Sequence, residues 1–303
     1  MVERKVAALG LIAAAMIWAV TGVSFKIFLD RGFSLIFILW VILIFKYTSV
    51  WLISDFKGVK HELVMDKREL RFILLNGFFV LCTPIFFLLA IQRTSLSNAY
   101  FTVYTAPAWV LIGSVLLLGE KIDAKKIVGL VFTFIGLVFV SRPENLLSFD
   151  FGIFLALLAA FSFAGDIITS REMKDYPYHT VAIYGNAFQL VVLTILVLFV
   201  YGIPAVWSGF LLAGILAVIG LFRGVSADLY YYALEKLEAS TASIISLSEL
   251  IFASVLSYLL LNEVPAPEEL IGYVFIILSG IIILLRTSDI HNFEYLLRLR
   301  RKH

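Results

Sequence analysis

Apolar stretches long enough to cross a lipid bilayer recur along the whole chain, and no other feature limits its folding as strongly. A hydrocarbon core about 30 Å thick takes roughly 20 helical residues at 1.5 Å each. No water reaches the backbone there, so each span has to satisfy its own peptide groups, as a helix does. On that ruler the sequence predicts ten helices, over residues 6–27, 33–54, 71–91, 98–118, 126–141, 152–170, 179–201, 208–233, 240–261 and 269–286. Composition agrees: 61% of the 303 residues are hydrophobic and 15% charged, whereas soluble domains carry roughly a quarter charged residues. The expected class is an all-α integral membrane protein, multi-pass, in the plasma (inner) membrane. The first span lacks a signal-peptidase pattern and reads as retained. The single cysteine, Cys82, gives no disulfide framework and no cysteine metal site.

The segment Ser97–Val140 returns 143 positions later as Ser240–Ile283, with ten identities in 44 ungapped positions. Among them are Ser114/Ser257, Glu120/Glu263 at the end of one helix and Gly129/Gly272 in the next. This reads as an internal duplication with five spans per copy. Lys and Arg divide unevenly between the alternate ends of the spans, 18 on the side of the N-terminus against three (Arg31, Arg93, Arg142) on the other. The side richer in positive charge is expected in the cytoplasm, which puts both termini there. Five spans is an odd number, so the second copy enters from the opposite side and the two repeats are inverted. The expected units are residues 1–142, residues 148–287 and a basic tail, 288–303, read as an interfacial helix on anionic lipid. Inverted repeats suit alternating access.

A charge near the bilayer centre costs roughly 2.5–3.5 kcal/mol on insertion scales, so it needs a partner, a wet cavity or a task. Lys46, Asp166, Arg223 and Glu249 fall at comparable depth on four different helices, and Asp228 lies nearer the N-terminal side. Two cations and two anions at one level point to a shared, water-accessible cavity. A purely structural reading stands beside it: Arg223 pairs with Asp166 or Glu249 to hold helices together, and Lys46 snorkels to the headgroups. In the 143-residue register Arg223 faces Val80, Glu249 faces Ala106 and Leu250 faces Pro107, so the copies differ in chemistry. Pro84 and Pro107 sit mid-span as helix kinks, each freeing a carbonyl four residues earlier, either for a ligand or with no ligand role. Trp18 and Tyr104 are the aromatics assigned to the cavity, and the remainder read as packing or interfacial belt. Asn76, Asn186 and Gln189 read as amides bridging helices. Spans 126–141 and 269–286 read as apolar all round and are assigned to the lipid-facing periphery.

A Trp in the first helix (Trp18), a cation at its end (Lys26), a fourth helix with a mid-span proline closing on Gly119-Glu120, then Gly129 and Gly136, resemble the EamA branch of the drug/metabolite transporter superfamily. The second half is similar, with Glu249 mid-helix, Glu263 at the helix end, then Gly272 and Gly280. Leu250 stands where the second repeat often has proline, Asn262 replaces the glycine before Glu263, and Lys46 is the only candidate for a basic residue common in the second helix. The resemblance implies a ten-helix transporter and also marks the position of Glu249.

Catalysis finds no support. The four histidines fall in loops or near helix ends without metal-ligand spacing, and the chain has no phosphate-binding glycine loop. No enzyme, cofactor, metal or nucleic-acid partner is expected. The function expected is a secondary transporter exporting small metabolites, such as amino acids or related amphipathic solutes. Its partners are a small-molecule substrate, the lipid bilayer and protons as a candidate coupling ion. Asp166 and Glu249 are candidates for coupling, and Arg223 and Lys46 for holding a carboxylate. The alternatives are a flippase of a lipid-linked intermediate and a non-transporting scaffold acting through its tail.

Overall fold

The computed structural model describes residues 2–30, 32, 34–58, 67–143, 151–201 and 210–284. The tail 288–303, most of the loop after residue 58, and His61, His291 and His303 lie outside the described residues. Among the described residues twelve helices follow one another: α1 (Val2–Asp30), α2 (Leu35–Phe56), α3 (Lys67–Ile91), α4 (Leu96–Val103), α5 (Ala106–Leu118), α6 (Ala124–Ser141), α7 (Phe151–Glu172), α8 (Tyr178–Tyr201), α9 (Phe210–Lys236), α10 (Ala239–Ser246), α11 (Ser248–Leu261) and α12 (Pro267–Leu284). They supply ten stretches long and apolar enough to cross a membrane. Two of these stretches are each built from a pair of shorter helices.

Those two broken spans are α4–α5 and α10–α11, and the breaks at Tyr104–Thr105 and at Leu247 are in register with the sequence repeat. In the first, Pro107 has no N–H to give, and the ladder tightens to Thr105 N–H···O=C Thr102 at 3.2 Å. Pro107 is therefore not a kink in a continuous helix, as the sequence reading had it. It occupies the first turn of α5, where a missing donor costs nothing. The second break has no proline. There the hydroxyls of Ser243 and Ser246 donate to the carbonyls of Ser240 and Ser243, and Leu247 N–H again turns to an i−3 partner, Ile244. Such back-bonding competes with the helical ladder. Pro84, by contrast, lies inside an unbroken α3.

Contacts between helix ends define one face of the bundle, the N-terminal face. Glu120 at the end of α5 accepts from Ala239 N–H (2.7 Å) and Ser240 Oγ (3.0 Å) at the start of α10. Arg171 near the end of α7 donates to the carbonyls of Leu234 and Glu235 near the end of α9. At the opposite face Arg142, after α6, meets Glu268 of α12 at 2.7 Å.

The core is distributed unevenly between these faces. Toward the N-terminal face one apolar cluster joins α1, α2, α3, α5, α7, α8, α9 and α10, through residues such as Leu11, Val50, Ile73, Val110, Ile167, Leu234 and Ile245. Toward the opposite face it divides in two. Phe28, Ile38, Ile42 and Leu216 tie α1, α2 and α9; Ala90, Ala99, Val103 and Ala156 tie α3, α4 and α7. The broken span shows the same asymmetry: every residue of α10 is buried and none of α11 is.

Helices α6 and α12 pack on each other, their backbones touching where Gly136 meets Gly272, so closely that a Cβ on Gly136 would stand 2.8 Å from the Gly272 carbonyl oxygen. Their outer faces are exposed, as expected of a periphery. They are not apolar all round, however. Thr133 and Ser279, both fully buried, share a hydrogen bond of 2.8 Å, and Ser279 Oγ donates to the Gly129 carbonyl. Isolated hydroxyls in an apolar run carry no sign of their direction in the sequence, and only the pairing shows that they face each other.

Candidate functional site

The two breaks and the mid-span charges meet between the single cluster and the divided one. Lys46 (α2) lies within coulombic range of Arg223 and Asp166, and Arg223 (α9) within range of Glu249 and Asp166. The carboxylate of Glu249, in the first turn of α11, is in turn felt by Tyr100 and Tyr104 on α4. An anion at that position also complements the positive end of the α11 dipole. The four charges named from the sequence thus lie near enough to act on one another in part, and Trp18 lies against Arg223. Arg223, Glu249, Trp18 and Tyr104 are half-buried.

The partners differ from the structural alternative drawn from the sequence. Asp166 makes no ion pair with Arg223. Its Oδ1 accepts from Asn76 Nδ2 (2.8 Å) and Ser170 Oγ (3.1 Å), and its Oδ2 from Tyr230 Oη (3.0 Å). Asn76 is completed by Tyr231, whose hydroxyl donates to its Oδ1 at 3.1 Å. Asn76 is fully buried, and this closed network of neutral donors around one carboxylate lies on the N-terminal side of the charges. Depth along a helix is legible in sequence, but which neighbour a side chain turns to is not.

Arg223 is positioned by aromatic and hydroxyl contacts. Its guanidinium carbon stands 5.6 Å from the centre of the Trp18 ring, a cation–π contact. Trp18 Nε1 donates to Ser226 Oγ at 3.1 Å, and its ring meets Tyr230 edge-on at 5.4 Å. Tyr104 stacks on Tyr100, with centroids 5.9 Å apart and planes 8° from parallel. Lys46 is buried and so does not snorkel. The close approach of α2 and α9 places it there: Gly220 and Gly224 leave room for Ile42, Phe45, Lys46 and Ser49. Among the described residues, the charged groups of Lys46, Arg223 and Glu249 form no side-chain hydrogen bond or ion pair. Buried charges in proteins are ordinarily paired.

A second polar cluster lies toward the N-terminal face. Lys57 Nζ bonds Asp228 Oδ2 at 2.9 Å and Tyr178 Oη at 3.1 Å, and His179 Nδ1 lies 3.0 Å from Asp228 Oδ1. Partial burial works against the Lys57 ammonium, but the bonds to Asp228 and Tyr178 outweigh it and hold its pKa above the ordinary lysine value. The sequence places Asp228 nearer the N-terminal side and His179 near a helix end; the contact joins the end of α2 to α8 and α9. Beside it, Glu120 caps α10 and is flanked by Lys126 at 3.6 Å. Replacing Glu120 with alanine is expected to cost about 0.5–2 kcal/mol, the value of a lost N-terminal cap. A lower thermal midpoint of the purified protein in detergent, with Glu120→Gln closer to wild type, is the check.

Ten stretches long and apolar enough to cross a membrane, with charged side chains within them, define a multi-pass membrane protein. The chain belongs to the EamA-like transporter family, whose model matches residues 5–142 and again residues 150–285. An uncharacterized transporter of Clostridium kluyveri is 26% identical over 287 residues, covering 90% of this chain and 91% of that one. An uncharacterized transporter of Synechocystis sp. is 24% identical over 210 residues, 64% of this chain and 59% of that protein. The pseudopaline exporter CntI of Pseudomonas aeruginosa is 22% identical over 223 residues, 72% of this chain and 76% of that one. A solved crystal structure superposes with a TM-score of 0.76 over 92% of this chain and 98% of its own, at 16% identity, a likeness of fold alone.

Proposed function

We propose that the chain is a secondary transporter that exports a small metabolite, of the amino-acid or related amphipathic kind, by alternating access. In this reading residues 1–142 and 148–287 are inverted five-span repeats, and both termini are cytoplasmic. The packing supports inversion: α1 lies against α9 and the α10–α11 span as α7 lies against α3 and the α4–α5 span, each helix with the counterparts of the other's neighbours. The excess of Lys and Arg at the N-terminal side supports the orientation.

One observation carries the proposal, the single apolar cluster toward the N-terminal face against two separate clusters toward the other. With the N-terminus inside, this is an outward-facing arrangement. Exchanging the conformations of the two repeats would close the outer end and open the inner. Glu249 and Asp166 are the carboxylates that take up a proton or a substrate cation, with protons as the proposed coupling ion.

Reconstitution into liposomes tests this. Substrate flux down a concentration gradient is expected, changed by an imposed pH gradient if protons are coupled. Glu249→Gln is expected to lower flux about tenfold or more, the worth of one bond to a charged group. Flux by Glu249→Gln and Asp166→Asn equal to wild type would remove both from the mechanism.

A further inference from the structure

We propose that Lys57, Asp228 and His179 form the inner gate, a polar clasp that holds while the site faces outward and parts when it faces inward. This rests on the alternating-access reading above and assigns the residues that work it.

The two copies stay in register well beyond the segment in which their sequences match. Moved by 143 positions, the start of α2 at Leu35 falls on the start of α8 at Tyr178, and that of α3 at Lys67 on that of α9 at Phe210. In the same way α6 (Ala124–Ser141) falls on α12 (Pro267–Leu284). The packing of α2 on α9 and of α8 on α3 is therefore one contact made twice. The two share a point. A Cβ on Gly220 would stand 2.6 Å from Phe45 Cβ, and one on its counterpart Gly77 would stand 2.5 Å from Phe188, the counterpart of Phe45.

Beyond that point they differ. Helix α2 continues along α9 toward the N-terminal face, through Ser49 against Gly224, and Lys57 at its end meets Asp228 at 2.9 Å. The contact of α8 with α3 is less extensive. Likewise α8 packs on α9, with His179 Nδ1 3.0 Å from Asp228 Oδ1, whereas α2 barely meets α3 among the described residues. An exchange of conformations between inverted copies turns each contact into its counterpart. The two Gly–Phe points persist as pivots. The rest of the α2–α9 contact and the α8–α9 contact shorten, so both oxygens of Asp228 lose their partners.

The group differs from a solvated surface ion pair, because the side chains of Asp228 and His179 are only 14% and 8% exposed. It also has no polar counterpart. Lys57, Asp228 and His179 match Val200, Ile85 and Ile36 in the register, so the contact that replaces the clasp at the outer end is apolar.

Thiol labelling of the purified full chain in detergent tests this, in a Cys82→Ser background with one cysteine introduced at a time. Ser54 is fully buried one turn before Lys57, Ser49 lies against Gly224, and Ile42 is buried at the pivot. With Lys57→Met or Asp228→Asn added, a hydrophilic maleimide is expected to label Ser54→Cys and Ser49→Cys about tenfold or more faster, the worth of one bond to a charged group. Ile42→Cys should stay protected, and Lys57→Arg should keep all three slow. The proposal is overturned if neither serine position gains, if Ser54→Cys alone gains (fraying of the α2 end), or if all three gain (loss of the fold). Labelling needs no substrate, so a clasp that fails leaves export to the liposome experiment. An inner opening in a chain without flux keeps the clasp and removes export instead.

Discussion

Replacing Asn76 with leucine is expected to destabilise the protein by about 3 kcal/mol or more, since it removes two bonded partners from buried polar groups at once. Asp166 loses the amide donor at 2.8 Å, and Tyr231 loses the acceptor for its hydroxyl. Asn76, Asp166, Tyr230 and Tyr231 are all buried, so no water replaces what is lost. The result expected is a large drop in the detergent melting temperature and loss of flux. Asn76→Leu combined with Asp166→Leu should not recover the stability, because Tyr230 and Ser170 then lose their acceptor as well. A single variant that melts like wild type would mean that Asp166 does not depend on Asn76.

Gly224→Leu is expected to have an effect of similar size by a different route. A Cβ on Gly224 would lie 2.3 Å from Ser49 Cβ and 2.8 Å from the Lys46 carbonyl oxygen, and one on Gly220 would lie 2.7 Å from the Ile42 carbonyl oxygen. Neither the Ser49 Cβ nor the Lys46 carbonyl can move by a change of rotamer, so α2 and α9 have to separate. Overpacking typically costs about 1–3 kcal/mol, occasionally more, and a leucine at a backbone contact belongs at the upper end. Because the same contact positions Lys46 beside Arg223, flux should fall as well. Gly280 is the control: nothing lies within 4 Å of a Cβ added there, and Gly280→Leu should leave both melting temperature and flux near wild type.

In the sequence Gly220 and Gly224 are spaced as a close-packing pair, a weak signal because glycine is common in membrane helices. The break at Leu247 was hidden for another reason. The first repeat advertises its break with Pro107; the second achieves it with serine hydroxyls, a pattern equally common in unbroken helices. Glu120 was legible as a position, in register with Glu263, but its work as the cap of α10 was not. The charges were readable because a charge in an apolar run stands out in the sequence. Their pairings were not readable, and the Arg223–Asp166 bridge is absent.

Hydropathy and helical rise are local properties, so the chain alone determined its class, its ten apolar stretches and the place of each charge along its helix. Tertiary structure decided what no single helix carries: the rotation of each helix and the neighbours it meets. That choice turned Asp166 into the centre of a sealed polar network and laid Arg223 against Trp18. Among the described residues it also left the charged groups of Lys46, Arg223 and Glu249 without a hydrogen-bonded or ion-pair partner. Partnership inside a membrane depends on two helices facing each other, and a one-dimensional pattern records how deep a side chain lies but not which way it points.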